Sequence, residues 1–395
     1  MQETWRWFGP GDTISLGHIA QAGATGIVTS LHELPTGDLW REEDIAERKR
    51  LIESAGLIWS VIESIPVHND IKARTGDFNR MIDNYRESVI NAGRAGVTTV
   101  CYNFMPVVDW TRTSLSYKLK NGSQALRFEM ADFAAYDIHV LRRAGAEADY
   151  DPDVLKKANR RFQEMSGEEV DQLERNIIAG LPGGEGSHDR DSIRYSIQQF
   201  NELGTEKFRE NLFLFLQEVI PAAESVGVKM CIHPDDPPFS LFGLPRVVST
   251  ADDVRALLEA FPSPANGLTL CAGSFGSRAD NNLVAMAREF AQRVYFVHLR
   301  NVVREADGSF YESDHLAGDN DMVGLVAALL EEERRRSRTG AASEIPMRPD
   351  HGLLMGDELS TGAVKPGYSY IGRLKGLAEI RGVIHALKCL EPTGS

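Results

Sequence analysis

The sequence predicts an α/β fold, a (β/α)8 TIM barrel with a helical insertion after its fourth strand. Two regularities and one interruption predict it. There are eight short runs rich in Val, Ile, Thr and aromatic residues, helical stretches between most of them, and one long polar segment that breaks the alternation. The strand candidates, in order, are Thr4–Phe8, Gly26–Ser30, Ile58–Glu63, Thr98–Phe104, Val228–His233, Leu268–Cys271, Val294–Leu299 and Glu344–Arg348. Helical stretches fall between them at Glu42–Ser54, Asp77–Ala95, Lys207–Ser225, Ala251–Ala260, Asn282–Gln292 and Met322–Ser337. Strands alternating with helices imply right-handed crossovers and a parallel sheet, and eight such repeats favour a closed barrel over an open sheet.

The interruption, 105–201, lies inside a single catalytic domain of 1–395. It is polar and helix-prone and offers no strand candidate. Ser166-Gly-Glu-Glu169 has capping-box spacing at the head of a helix running to about Ile178. The glycine-rich run Gly180–Gly186 follows and reads as flexible. Placed after a barrel strand, the insertion is expected to form a helical cap over the barrel mouth. Further on, Glu331-Glu-Glu-Arg-Arg-Arg336 places Glu331/Arg335 and Glu332/Arg336 one helical turn apart, which reads as a solvated helix face.

Composition narrows the function. With 43 basic and 57 acidic residues the formal net charge is −14, a field that repels nucleic-acid phosphate and anionic lipid. Neither a nucleic acid nor a membrane is expected as partner. No basic segment followed by an apolar run opens the chain, and no stretch approaches the roughly 18 apolar residues of a spanning helix. The four cysteines, Cys101, Cys231, Cys271 and Cys389, lie far apart without a CxxC pair and read as thiols. A cytoplasmic protein is expected, a homo-oligomer acting on a small molecule.

The most informative residues stand at the exits of the last four barrel strands. The fifth ends in KMCIHPDDPP with His233, the sixth in LTLCAGS with Cys271, and the seventh in VYFVHLRN with His298. The eighth runs EIPMRPDHG, with Asp350 and His351 at its exit. Barrel enzymes carry their catalytic groups at the C-terminal ends of strands, where they converge on one mouth. Singly, each residue has an ordinary structural explanation: a buried thiol, a core histidine, a helix-capping aspartate. Four metal-capable side chains at four equivalent places are another matter, and we expect His233, Cys271, His298 and Asp350 to form an N2SO shell with one or two positions open. A thiolate with two imidazoles suits zinc or iron, and the carboxylate with an open position also suits iron or manganese. The imidazoles need outer acceptors to fix their tautomers, for which Asp235 and Asp236 are candidates.

The motifs HPDDPP, LCAGS, HLRN and RPDHG, in this order, resemble mannonate dehydratase of the xylose-isomerase-like barrel type. So do RWFG (Arg6–Gly9), YNFMPVVDWTRT (Tyr102–Thr113) and PGYSYIGR (Pro366–Arg373), and the resemblance spans nearly the whole chain. It implies a metal-dependent hydro-lyase converting D-mannonate to 2-keto-3-deoxy-D-gluconate in hexuronate (glucuronate) breakdown, with Mn2+ or Fe2+ as cofactor. The family's metal ligands fall on the four residues already singled out. Its acid/base pair falls on His351 and, through the PGY motif, Tyr368, with Tyr370 as the alternative.

The chemistry explains the need for such residues. The C2 proton of mannonate is α to a carboxylate and therefore weakly acidic, so a cation must offset the charge that accumulates on its removal. A base takes that proton and an acid protonates the departing C3 hydroxide. A phenol such as Tyr368 could fill either role if the cation lowered its pKa. Arg300, Arg6 and Arg112 are candidates to bind the substrate carboxylate, and Asn103 a sugar hydroxyl. His32 and His68 also follow strands and could touch substrate. The competing reading is another sugar-acid lyase, or a sugar isomerase or epimerase on the same barrel; those favour carboxylate-rich shells, whereas here Glu63 is the only strand-end Glu. A metal-binding barrel without turnover would have no use for His351 and Tyr368 beside the metal.

Overall fold

The structure, a computed structural model, describes residues 1–178, 190–340, 344–362 and 364–390. Among these, twelve strands form in chain order: β1 Gln2–Arg6, β2 Gly26–Thr29, β3 Ile58–Glu63, β4 Thr99–Tyr102, β5 Ser114–Lys118, β6 Gln124–Phe128, β7 Lys229–Ile232, β8 Asn266–Cys271, β9 Val294–His298, β10 Asn301–Arg304, β11 Phe310–Ser313 and β12 Pro346–Arg348. Eight of them close a parallel barrel in the order β1-β2-β3-β4-β7-β8-β9-β12, with β12 returning to β1. These are the eight expected strands, each within two residues at either end. Their side chains are buried on both faces. Val28, Val61, Cys101, Cys231 and Phe296 fill the barrel interior. Ile27, Ile62, Val100 and Leu270 pack outward into the layer shared with the helices. Two-sided burial is why these strands read as continuous apolar runs.

Helices Glu42–Ser54 and Ala251–Ala260 fall where expected, and Phe78–Arg94, Leu283–Phe290 and Met322–Arg338 lie close to expectation. Lys207–Ser225 is the second part of a longer helical stretch, Arg190–Ser225, kinked at Gly204 where φ is 74°. A short helix, Leu16–Gln21, and a long C-terminal one, Tyr370–Leu390, complete the alternation that the sequence pattern left open. The run at 331–336 is less solvated than expected. Glu332 pairs with Arg335 and Arg336, and buried Arg336 donates to the carbonyls of Ala291 and Val294, tying the helix to its neighbours. None of the described helices is long and apolar enough to cross a membrane.

The insertion needs correcting. Its helices include Pro152–Glu164 and Gly167–Ile178, the latter headed by the expected capping box: the Ser166 amide donates to Glu169 at 2.9 Å, and the Glu169 amide to Ser166 Oγ at 3.2 Å. The run Gly180–Gly186 lies outside the described residues. Before these helices, however, stands a hairpin, β5–β6, in a segment expected to hold no strand. It joins a second hairpin, β10–β11, which leaves the barrel after β9, and together they make a four-stranded antiparallel sheet in the order β10-β11-β6-β5. Phe310 opposite Phe128 forms its apolar seam. The sheet touches the loop after β12 through a bridge between Gln124 and Leu354, so it lies at the C-terminal mouth of the barrel.

Candidate metal centre and active site

The exits of β7, β8 and β9 bring His233, Cys271 and His298 together, with one donor atom from each lying within 4.8 Å of the others. His233 Nε2 and His298 Nδ1 face each other at 3.2 Å. Asp350, from the exit of β12, adds Oδ2 at 3.7 Å from His298 Nδ1 and 3.9 Å from Cys271 Sγ. Asp350 takes a left-handed backbone (φ 65°), a conformation rare for non-glycine residues and found where surrounding contacts impose it. Those contacts are charged: Arg348 Nη1 donates to Oδ1 and Arg300 Nε to Oδ2, the latter at 2.7 Å. His315 Nε2 bonds the preceding Pro349 carbonyl at 2.7 Å and steadies the turn.

The electrostatics of this cluster favour a cation. Burial alone would raise the Cys271 thiol, but the Arg300 guanidinium and the two imidazoles hold it well below the usual thiol range. Burial alone would likewise lower His233, yet Cys271 pushes it up to about 10. Two facing imidazole nitrogens, a thiolate and a carboxylate suit a divalent ion of intermediate softness. His233 Nδ1 bonds the Pro234 carbonyl at 2.7 Å, which leaves Nε2 as the inward donor. The expected outer acceptors therefore do other work. Asp235 accepts from Val248 N and Ser249 Oγ to fold the loop back, while Asp236 pairs with Arg112 and Arg300. On the far side of His298, Nε2 lies 3.4 Å from Glu63, a carboxylate anchored by Arg348 and Arg6.

Beside the cluster, His351 Nδ1 donates to both oxygens of Glu312, at 2.7 and 2.8 Å, turning Nε2 toward the Asp350 side. Glu312 comes from β11 of the overlying sheet and was not among the sequence candidates; it follows no barrel strand. Tyr368 stands edge-on to the His351 ring, with centroids 5.1 Å apart. Gly367 (φ 79°) makes the approach possible, since a Cβ there would meet Leu126 at 2.7 Å and His351 at 3.3 Å. Tyr370 is elsewhere, its hydroxyl on the His18 carbonyl at 3.0 Å. Burial pushes the Tyr368 phenol up to about 12. Arg373, at the end of the PGYSYIGR run, ties this loop to β1 by donating to the carbonyls of Arg6, Tyr368 and Ser369.

Of the proposed carboxylate binders, two are already spent. Arg300 donates to Asp350, Asp236, Glu312 and Ser274, and Arg112 to Asp236, Glu312 and the Thr111 carbonyl; both are fully buried. With both terminal nitrogens of each guanidinium engaged by internal acceptors, neither offers a free fork to a ligand, although Arg112 Nε is buried without a partner among the described residues. Arg6 remains available in part, with one nitrogen on Glu63 at 3.1 Å and another 3.5 Å from His32. Asn103 follows β4, half-buried. His32 borders Arg6 and Phe8, whereas His68 caps the helix Asn69–Ala73 by accepting from the Asp70 amide and has a structural explanation.

Fold and site together define a (β/α)8-barrel enzyme with a His/Cys/His group at its mouth, spaced to hold a metal ion, and an acid/base-capable His and Tyr beside it. The profile of the D-mannonate dehydratase (UxuA) family matches residues 1–392, and the chain belongs to that family of hydro-lyases. It is 72% identical over 392 residues to a mannonate dehydratase of Saccharophagus degradans, covering 99% of each chain. It is 57% identical over 388 residues to mannonate dehydratase 2 of Agrobacterium fabrum, covering 98% of each. Among solved structures it resembles the mannonate dehydratase of Streptococcus suis serotype 2, with a TM-score of 0.76, 33% identity, and coverage of 98% of this chain and 95% of that one. A xylose isomerase domain protein of Alicyclobacillus acidocaldarius shares the fold at 12% identity and a TM-score of 0.51.

Proposed function

We propose that this chain dehydrates D-mannonate to 2-keto-3-deoxy-D-gluconate, the hydro-lyase step of hexuronate (glucuronate) breakdown, in the cytoplasm. The observation that carries the reading is the meeting of three soft or borderline donors, His233, Cys271 and His298, with His351 and Tyr368 on the same mouth, in a chain of this family. His233 Nε2, Cys271 Sγ, His298 Nδ1 and Asp350 Oδ2 would hold a divalent ion, Mn2+ or Fe2+. Bound there, it supplies Lewis-acid neutralisation of the charge that builds on the substrate's oxygens.

The remaining work belongs to side chains. Glu312 accepts a hydrogen bond from the Nδ1–H of His351, which fixes the tautomer, leaves Nε2 free to take the C2 proton, and stabilises the positive charge the ring then acquires. Tyr368, held protonated by burial, donates to the departing C3 hydroxide. Arg112, Arg300 and Asp236 form the buried frame that keeps Glu312 and Asp350 in place. Asn103 is the candidate for a sugar hydroxyl. The test is 2-keto acid formation from a panel of hexonic acids by chelated protein, with and without added Mn2+ or Fe2+. We expect turnover of D-mannonate that chelation abolishes and metal restores. Preference for another hexonic acid would change the substrate, and full turnover by metal-free protein would remove the metal from the mechanism.

A further inference from the structure

A sugar acid carries a carboxylate that a cationic side chain can anchor, and the mouth has few such side chains to spare. Arg112, Arg300 and Arg348 are held by Asp236, Glu312, Glu63 and Asp350, and Arg373 gives its donors to main-chain carbonyls. Lys365 is different. Among the described residues its ammonium has neither an ion pair nor a hydrogen bond, and it rests 3.9 Å from the centroid of the Phe8 ring. The same ring carries the Arg6 guanidinium at 5.2 Å and meets Tyr368 edge-on at 4.8 Å. Arg6 keeps its Nε buried, without an acceptor among the described residues. Two cations with unused donors thus converge on one aromatic side chain that touches the proposed acid.

We propose that Lys365, together with Arg6, anchors the substrate's carboxylate. An ammonium on a ring face is weakly satisfied compared with one bonded to a carboxylate. A flexible four-carbon stem lets Nζ leave Phe8 for an arriving anion, and the anchored end then lies beside Tyr368. The loop that bears Lys365 also bears Tyr368, and the Tyr368 amide donates to the Lys365 carbonyl at 2.9 Å, so anchoring and proton donation move as one unit. The inference rests on the sugar-acid reading above and adds the residue that recognises the acid group.

Lys365→Met and Lys365→Arg test it in the manganese-loaded enzyme, with D-mannonate kinetics and calorimetric binding of D-gluconate, an anion, and mannitol, a neutral six-carbon polyol. Lys365→Met should raise KM for D-mannonate roughly 10- to 100-fold, the scale of a lost charge-assisted hydrogen bond, with a much smaller change in kcat. Gluconate binding should weaken by a similar factor while mannitol binding holds, and Lys365→Arg should recover most of the loss. Unchanged KM and gluconate affinity in Lys365→Met would overturn the proposal. Equal weakening of gluconate and mannitol would also overturn it, because it would report a displaced loop. A wild-type protein that binds gluconate through Lys365 yet dehydrates no hexonic acid would sink the functional reading and leave the anchor standing.

Discussion

The barrel and the sheet above it are built from strands of similar length, yet one is legible in the sequence and the other is not. Barrel strand β2 is buried at every position, and its burial is imposed from both sides by neighbours of the same kind. Strand β5 of the upper sheet, Ser-Leu-Ser-Tyr-Lys, has no fully buried position. It exists because it pairs with β6, which in turn pairs with β11 some 180 residues later. A strand that draws its stability from a partner far along the chain leaves little apolar signature of its own. Its turns do leave one. Asn121-Gly122 and Asp307-Gly308 close the two hairpins with glycines at φ 86° and 89°, the dipeptides such turns favour.

The same division runs through the site. The barrel supplies the donor cluster, and the upper sheet supplies Glu312, which orients His351. If that comparison holds, damage on the barrel side should cost metal, and damage on the sheet side should cost turnover alone. The largest effect is expected for Asp350→Asn. A neutral amide weakens metal binding and leaves Arg300 and Arg348 buried beside an uncharged partner, at a cost of about 3–5 kcal/mol. Metal content, activity and unfolding free energy should fall together; retained metal would remove Asp350 from the ligand set.

Tyr368→Phe should come next, with turnover down by about 10²-fold and metal content unchanged. Tyr370→Phe, which loses only the bond to the His18 carbonyl, should keep near-normal turnover. The opposite ranking would move the acid to Tyr370 and contradict the geometry of the loop.

The donor cluster was readable because its members end barrel strands, and position in that fold carries chemical meaning. Residues that hold the cluster in place were harder to see. Glu312 lies in a hairpin the apolar pattern did not reveal, and Arg373 lies in a helix that closes the eighth unit. Arg112 and Arg300 were visible as arginines at the mouth, but the carboxylates that occupy them come from three separate segments, so only the folded chain shows that neither is free.

A moderate effect is expected with pH. Burial, followed by the Arg6 charge, depresses His32 from 6.5 to about 3. The unfolded chain therefore binds a proton that the folded one refuses, and this stability is present above 6.5 and lost as the pH falls through that window. Glu312 and Asp350, also depressed despite burial, add to the loss only below the usual carboxylate range. His32→Gln should flatten the unfolding free energy between pH 6.5 and about 4.5; an unchanged slope would assign it to other groups. The smallest effect belongs to Gly122→Ala, which forces a left-handed alanine into the outer hairpin for about 1–2 kcal/mol. A slight drop in stability with metal content intact is expected, and loss of metal would tie the upper sheet to the barrel centre more closely than this account allows.

The division of labour itself is tested most directly by measuring metal content and D-mannonate turnover on the same preparation of Glu312→Gln. A full complement of metal is expected with turnover lowered by about 10²-fold, because the amide no longer holds the His351 tautomer. Metal lost in step with turnover, or turnover unchanged, would contradict it.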